Sequence, residues 1–293
     1  MLNQSPNLTT VVSVLGIHSL LQKVDTYLIH YSHLVARHEM QRRAYTWELL
    51  QPSVVTEHSI DDCSLAIPAG QSSYANLRAS MLGNINSISY ILDYHAYCAF
   101  NGIRKIRPAL MPTGTSAIIS HTLKLHYMSA LRAFSRKNQE LSFQHIHAIK
   151  SFVNSGNMFG LFLEDDAFPL IHNQYLFSGY LEDLLADMLL VNYGFCDVSN
   201  SFNWISDVPT STHYSIRRMA DGQTKCSSSY LLTRDAAIQI ASSCEYPFLP
   251  IDWHLSYLLH TLSIPTYWSL QPLFVQGSQV GIVSSNQDER SSD

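Results

Sequence analysis

The sequence is short of charge. Only 14% of its 293 residues are Asp, Glu, Lys or Arg, against roughly 25% in a typical soluble domain. Polar uncharged residues, His and Tyr fill the gap, not Pro and Gly, and 46% of the chain is hydrophobic. A disordered chain needs high charge and few apolar residues, so that class is excluded. The same composition excludes collagen, a coiled coil and a short disulfide scaffold. Basic excess is also missing: the net charge is −5, which argues against a general nucleic-acid binder while leaving room for a local phosphate pocket. The five cysteines (Cys63, Cys98, Cys196, Cys226, Cys244) are scattered, odd in number and never spaced Cys-x-x-Cys. Neither a zinc site nor a disulfide framework is supported, and reduced, buried thiols are expected.

Long hydrophobic runs are lacking too. No stretch reaches the roughly 18 apolar residues that a bilayer span needs. The apolar run at 11–21 is broken by Ser13, Gly16, His18 and Ser19, and no Lys or Arg precedes Lys23. The basic start of a signal peptide is therefore missing. A cytoplasmic protein is expected, with peripheral contact at the inner membrane left open.

What the sequence does contain is an alternation of short strands and helices. Residues 24–29 (VDTYLI) read as a strand, 34–50 as a helix carrying Arg37, Arg42 and Arg43, and 54–56 as a second strand. Strand, helix, strand opens a parallel α/β sheet. From Leu141, apolar residues at 141, 143, 146, 149, 152 and 153 follow helical spacing. Gly156 is placed to end that helix. Residues 158–163 (MFGLFL) form a continuous apolar run, as in a strand covered on both faces. A helical stripe spans 180–190, a strand 226–232, and Thr233 is a good N-cap for a helix over 235–242. Another helix opens at Pro250-Ile251-Asp252, and 267–275 reads as a strand before a Gly/Ser-rich loop at 276–285. With no repeat and no linker, one domain over 1–293 is expected. Residues 1–22 and 286–293 are peripheral in that reading, and 64–140 remains unplaced.

The residues with the clearest chemical character are Glu164-Asp165-Asp166, at the end of the buried run. Ligands of open α/β sheets bind outside the carboxyl ends of strands. On an extended chain Glu164 and Asp166 face one way and Asp165 the other. Paired carboxylate oxygens suit Mg²⁺ or Mn²⁺; a solvated acidic turn is the plain alternative. Asp252 stands in the first turn of a helix, where the dipole alone favours it; as a functional group it is a general base for an acceptor hydroxyl. His30 and Tyr31 follow the first strand, where a ring can stack on a base, and Arg37 can grip a phosphate. A buried imidazole and an exposed helix charge explain His30 and Arg37 equally well. Among fourteen His, the pair His145/His147 is spaced to face apart on a helix, and no His-Glu-x-x-His occurs. Phosphate-loop, dinucleotide and nucleophile-elbow motifs are missing.

Several segments in order resemble glycosyltransferase family 25, the group that includes bacterial lipopolysaccharide glycosyltransferases and, more distantly, collagen galactosyltransferases. They are 24–37 (VDTYLIHYSHLVAR), 54–62 (VVTEHSIDD), 142–150 (SFQHIHAIK), 161–167 (LFLEDDA), 226–237 (CSSSYLLTRDAA), Pro250-Ile251-Asp252 and 271–284. Together they cover roughly a quarter of the chain. The acidic segment is moderately specific alone; the ordered set is more so. The resemblance implies an α/β, GT-A-like nucleotide-sugar-binding sheet flanked by helices. It implies transfer of a sugar, usually with inversion, from a nucleotide-sugar donor (a UDP-hexose favoured) to a hydroxyl of a glycan or lipid-linked glycan such as lipopolysaccharide or capsule, and no nucleic-acid partner. By position, Glu164 and Asp166 are the metal candidates for Mn²⁺ or Mg²⁺. Asp165 contacts the donor ribose or sugar. His30, Tyr31, Arg37 and Glu57 lie around the nucleotide, Ser228 and Tyr230 are further substrate contacts, and Asp252 is the base. Gln276 stands near where related GT-A enzymes supply a C-terminal metal ligand, often His; a neutral Gln is a departure and binds Mn²⁺ less well. The unplaced 64–140 would then hold acceptor-side structure. Two other readings stand beside this one: a non-catalytic carbohydrate- or nucleotide-binding protein on the same fold, and a nucleotidyltransferase.

Overall fold

The apolar run at 24–29 forms strand β1 (Val24–Ile29), entered from a single 3₁₀ turn at Leu20–Lys23. This computed structural model describes residues 20–56, 136–191, 194–200, 212–213, 216–219, 224, 227–244, 247 and 249–284. Glu57 and all of 64–140 except its last five residues lie outside them. After β1 come helices α1 (Val35–Arg43) and α2 (Tyr45–Leu50) and strand β2 (Ser53–Val55). The single helix expected over 34–50 is thus two. Ala44 adopts extended backbone between them, which turns Tyr45 and Trp47 onto the core, the Tyr45 ring meeting Phe177 edge-on. Tertiary packing outweighs helix propensity there.

The second described stretch begins with helix α3 (Arg136–Ser155), stopped by Gly156 at φ 87°. That left-handed backbone is cheap only for glycine. Strand β3 (Phe159–Glu164) and the short β4 (Ala167–Pro169) follow, then α4 (Gln174–Val191) and β5 (Phe195–Asp197). Strands β6 (Thr212–His213), β7 (Ile216–Met219) and β8 (Ser229–Thr233) lead into α5 (Arg234–Ser243). Thr233 caps α5 as expected, its side chain accepting from the Ala236 amide. Helix α6 (Ile251–Thr261) and strands β9 (Thr266–Ser269) and β10 (Phe274–Gln276) come next, with a one-turn helix α7 (Gly277–Val280). The single strand expected over 267–275 is interrupted at Leu270-Gln271-Pro272-Leu273. Pro272 has no amide hydrogen for a ladder.

Eight of the described strands form one mixed sheet in the order β2-β1-β3-β8-β5-β9-β7-β6. Strands β2, β1 and β3 run parallel; β8 is antiparallel to β3 and β5, and β5 is parallel to β9. Both faces are covered. Leu28, Leu161, Leu163 and Leu231 pack with α4 through Phe177, Leu181 and Leu185. Tyr27, Phe162, Tyr230 and Phe195 pack beneath α3, α5 and α6. Those four rings stack in a row across β1, β3, β8 and β5 at 5.4, 5.0 and 5.4 Å, each pair adding about 1 kcal/mol beyond simple burial. Strand β3, covered on both sides, carries the acidic residues at its carboxyl end. A separate ladder of β4 and β10 puts Gln276 opposite Ala167. No helix of the described residues is long and apolar enough to cross a membrane.

Candidate functional site

Strand β3 ends at Glu164, and Asp165 and Asp166 form the turn that follows it. Asp165 turns toward α1. Its Oδ1 accepts from Arg37 Nη1 at 3.0 Å, and its Oδ2 lies 3.0 Å from His30 Nδ1. All three side chains are buried. Gln41 of α1 donates to the Asp165 and Ala167 carbonyls at 3.1 and 2.8 Å. Helix α1 therefore binds both the side chain and the backbone of the acidic turn. Arg37 is neither an exposed helix charge nor open toward solvent: it is committed to Asp165 and to the Ser284 carbonyl. Asp165 in turn has one partner on each carboxylate oxygen.

Glu164 and Asp166 sit apart from that cluster. Ser227 Oγ donates to Glu164 Oε1 at 2.5 Å, and His145 Nε2 lies 3.4 Å from the same oxygen. That second contact is at ion-pair distance but falls short of a hydrogen bond. Ser278 Oγ donates to Asp166 Oδ2 at 2.5 Å, and the Gly277 amide donates to the Asp166 carbonyl at 2.6 Å. Asp166 Oδ1 is buried and has no partner among the described residues. Burial, then the nearby Glu164 charge, pushes the Asp166 carboxyl up to about 6. Two carboxylates held this close resist ionising together.

The remaining candidates lie on other segments of the chain. Ser228 is buried beside Glu164, whose amide donates to the Ser228 carbonyl at 2.8 Å; the Ser228 hydroxyl has no partner among the described residues. Tyr230 is fully buried, with its hydroxyl 2.9 Å from His145 Nδ1. Its place is in the core, behind the carboxylates. Tyr31 is buried, its ring 5.6 Å from that of His33. Gln276 adjoins the triplet through β10, and its Oε1 accepts from Gln279 at 2.6 Å. Asp252 occupies the first turn of α6, half-buried. The chain before α6 meets α3 where Ser142 donates to the Leu249 carbonyl at 3.1 Å, one turn from His145. Glu57 lies outside the described residues.

Among the described residues no three His, Cys, Asp or Glu side chains form a ready metal cage. Glu164 and Asp166 each offer hard carboxylate oxygens, the first with the Ser227 hydroxyl on it and the second with the Ser278 hydroxyl. That chemistry fits Mg²⁺ or Mn²⁺, which use one or two carboxylates and complete their shell with water or phosphate. The unpartnered Asp166 Oδ1 and the mutual repulsion of the pair fit a cation as well.

Four further polar residues stand outside the sequence candidates. His145 and His147 do face apart, the first fully buried and the second half-buried. The signal for His145 was there: it interrupts the apolar stripe of α3. Ser227 and Ser278 carry no such signal. Asp197, fully buried at the end of β5, accepts from the Ser199 amide and hydroxyl at 2.9 and 2.7 Å and from Thr224 at 3.1 Å. Burial pushes its carboxyl up to about 7. Cys196 and Cys244 are free and buried, as the scattered cysteines predict. No protein-family model matches the chain, and no curated protein matches it.

Proposed function

We propose that the protein is a glycosyltransferase with a GT-A-like fold. It moves a sugar from a nucleotide donor, a UDP-hexose by preference, to a hydroxyl of a surface glycan such as lipopolysaccharide or capsule. The observation that carries the proposal is the pairing of Glu164 and Asp166. They stand at the carboxyl end of β3, where burial and then the Glu164 charge raise the Asp166 pKa, and Asp166 Oδ1 is buried with no partner among the described residues. Strand ends of this kind are where open α/β sheets bind nucleotides. The ordered resemblance to glycosyltransferase family 25 supplies the class of reaction.

In this reading Glu164 and Asp166 hold Mg²⁺ or Mn²⁺, which offsets the charge that develops on a departing diphosphate. Asp165 acts by fixing the turn that carries them, through Arg37 and His30. The Ser227 and Ser278 hydroxyls orient one oxygen of each carboxylate and leave the other free. Ser228 offers a buried hydroxyl beside Glu164 for a donor contact. Asp252 receives the proton of the acceptor hydroxyl. Gln276 stands beside the pair as a weak neutral donor, so the metal dependence is expected to be modest.

A thermal-shift panel tests this. Nucleoside diphosphates and nucleotide sugars are added with and without Mn²⁺ to the native protein and to Asp166→Asn. A ligand that binds only the folded state raises the melting temperature by mass action. The reading requires a shift selective for one nucleotide, enlarged by Mn²⁺ and lost in the variant. No shift with any nucleotide overturns it. Tight binding without turnover on any glycan acceptor replaces it with a non-catalytic binding protein, and release of pyrophosphate replaces it with a nucleotidyltransferase.

A further inference from the structure

We propose that Asp197 is a positioning residue for the site: through Thr224 it sets the Ser227 hydroxyl on Glu164. The inference rests on the reading of Glu164 as a cation ligand. It concerns what keeps that carboxylate aimed.

Asp197 takes no part in the chemistry proposed above, yet it is a carboxyl sealed in the core at the end of β5. Burying such a group is costly, and a well-packed apolar side chain would fill the place at less expense in free energy. What the carboxyl gains there is a set of donors from two segments of chain. The Ser199 amide and hydroxyl donate to Oδ1 at 2.9 and 2.7 Å, and the Thr224 hydroxyl donates to Oδ2 at 3.1 Å. An ionised carboxylate only accepts, so three donors suit it. Ser199 lies on the chain that leaves β5, and Thr224, also buried, precedes β8. One carboxyl therefore fixes the exit from one strand to the approach to its neighbour.

Thr224 is held from a second side. Its carbonyl accepts from Ser256 Oγ at 2.9 Å, on the helix whose first turn carries Asp252. Ser227 follows Thr224 by three positions, and three residue steps reach at most about 11 Å. Ser227 Oγ donates to Glu164 Oε1 at 2.5 Å, and the Glu164 amide donates to the carbonyl of the next residue, Ser228. Strands β5 and β3 are not neighbours; β8 lies between them. The approach to β8 thus links the two: Asp197 at the end of β5 holds Thr224, and Ser227 reaches Glu164 at the end of β3. A hydroxyl turns freely about its own bond, so where its oxygen sits depends on where its backbone is fixed. Groups that orient a metal ligand, when removed, typically change metal affinity 10- to 100-fold.

The test uses the full chain at a single pH, with Mn²⁺ alone as the probe and free Mn²⁺ read by electron paramagnetic resonance. Ser227→Ala should weaken Mn²⁺ binding about 10- to 100-fold. Thr224→Val keeps the shape and removes the hydroxyl, and it should weaken binding by up to the same factor. Thr224→Ser returns the hydroxyl and should bind Mn²⁺ as the native protein does. Asp197→Asn can still pair with Ser199 and Thr224 and should also bind as native, whereas Asp197→Ala should behave like Thr224→Val. The decisive readout is the double variant. If Thr224 acts through Ser227, adding Thr224→Val to Ser227→Ala causes no further loss of affinity. Additive losses, or native affinity in Thr224→Val, overturn the inference. Native affinity in Ser227→Ala overturns it alone, whatever the folding of the other variants. If Glu164→Ala loses Mn²⁺ while the Ser227 and Thr224 variants keep it, the cation site stands and this inference fails. If the native protein binds no Mn²⁺, both fail.

Discussion

Arg37 and Asp165 form a buried ion pair, Nη1 to Oδ1 at 3.0 Å, between side chains 5% and 4% exposed. It joins the first helix of the fold to the acidic turn across 128 positions of sequence. Breaking one side of such a pair strands a buried charge, which costs about 3–5 kcal/mol. Asp165→Ala should therefore lower the melting temperature by roughly 10 °C for a chain of this size, followed by circular dichroism. Arg37→Met combined with Asp165→Leu should recover much of that loss, because no charge is left unpaired. Equal damage in the single and double variants would show that the ion pair is not what holds the turn.

Asp166 should behave in the opposite way. Its carboxyl is raised to about 6 by burial and by Glu164, so at pH 8 its charge opposes folding. Each pKa unit corresponds to about 1.4 kcal/mol. Asp166→Asn keeps an acceptor for Ser278 and removes the charge. At pH 8 in the absence of divalent cations it should be as stable as the native protein or up to about 3 kcal/mol more stable. A neighbouring pair of Asp substitutions with opposite effects on stability, measured by urea unfolding, separates the anchoring carboxylate from the ligand-facing one. Destabilisation by Asp166→Asn would mean that its contacts are structural.

How much of this was legible in the sequence depends on the reach of each interaction. Strand β1 matches the expected 24–29, because a β-branched, apolar run is a local signal. The Thr233 cap and the Gly156 stop are local too, and both stand where expected. Strands β5, β6 and β7 span only two to four residues and carry no periodicity long enough to read. The insertion of β8 between β3 and β5 is a long-range choice that no window of sequence contains. Arg37 was open between a phosphate contact and a surface charge because its partner lies far along the chain. Ser227 and Ser278 are ordinary hydroxyls until the fold brings them to a carboxylate.

Asp197 yields a prediction about pH. Its folded pKa is raised to about 7 by complete burial, against its ordinary 3.8. The folded state thus keeps a proton that the unfolded chain releases near pH 4. The contribution to stability is present below pH 4, falls as the pH rises to about 7, and is flat beyond. Asp197→Asn is nearly isosteric and satisfies Ser199 and Thr224 without titrating. The stability difference between variant and native protein should widen from pH 4 to pH 7, toward about 4 kcal/mol at most, and then level off. Urea unfolding at a series of pH values measures it. A difference that is constant with pH would mean that Asp197 is ionised throughout in the folded protein.

Gly277 links the end of the described chain to the site, and its substitution probes that link. Its amide donates to the Asp166 carbonyl at 2.6 Å, and the next residue, Ser278, donates to the Asp166 side chain. A Cβ added at Gly277 would stand 2.6 Å from Phe168 Cε2 and 3.2 Å from the Asp166 carbonyl oxygen. The Phe168 ring can swing aside, but the carbonyl belongs to backbone and must move with the turn. Overpacking of this kind costs about 1–3 kcal/mol. Gly277→Ala should therefore cost stability in that range and also displace Ser278 from Asp166 Oδ2. With that hydroxyl gone, Asp166 loses the hydrogen bond that, together with the Arg37 charge, favours its ionised form, and Mn²⁺ binding should weaken together with stability. Ser278→Ala separates the two effects, since it removes the hydroxyl and leaves the backbone where it is. Weakened Mn²⁺ binding in both variants, with lost stability only in Gly277→Ala, would establish that α7 shapes the carboxylate pair. Native Mn²⁺ binding in both would limit this segment to closing the fold.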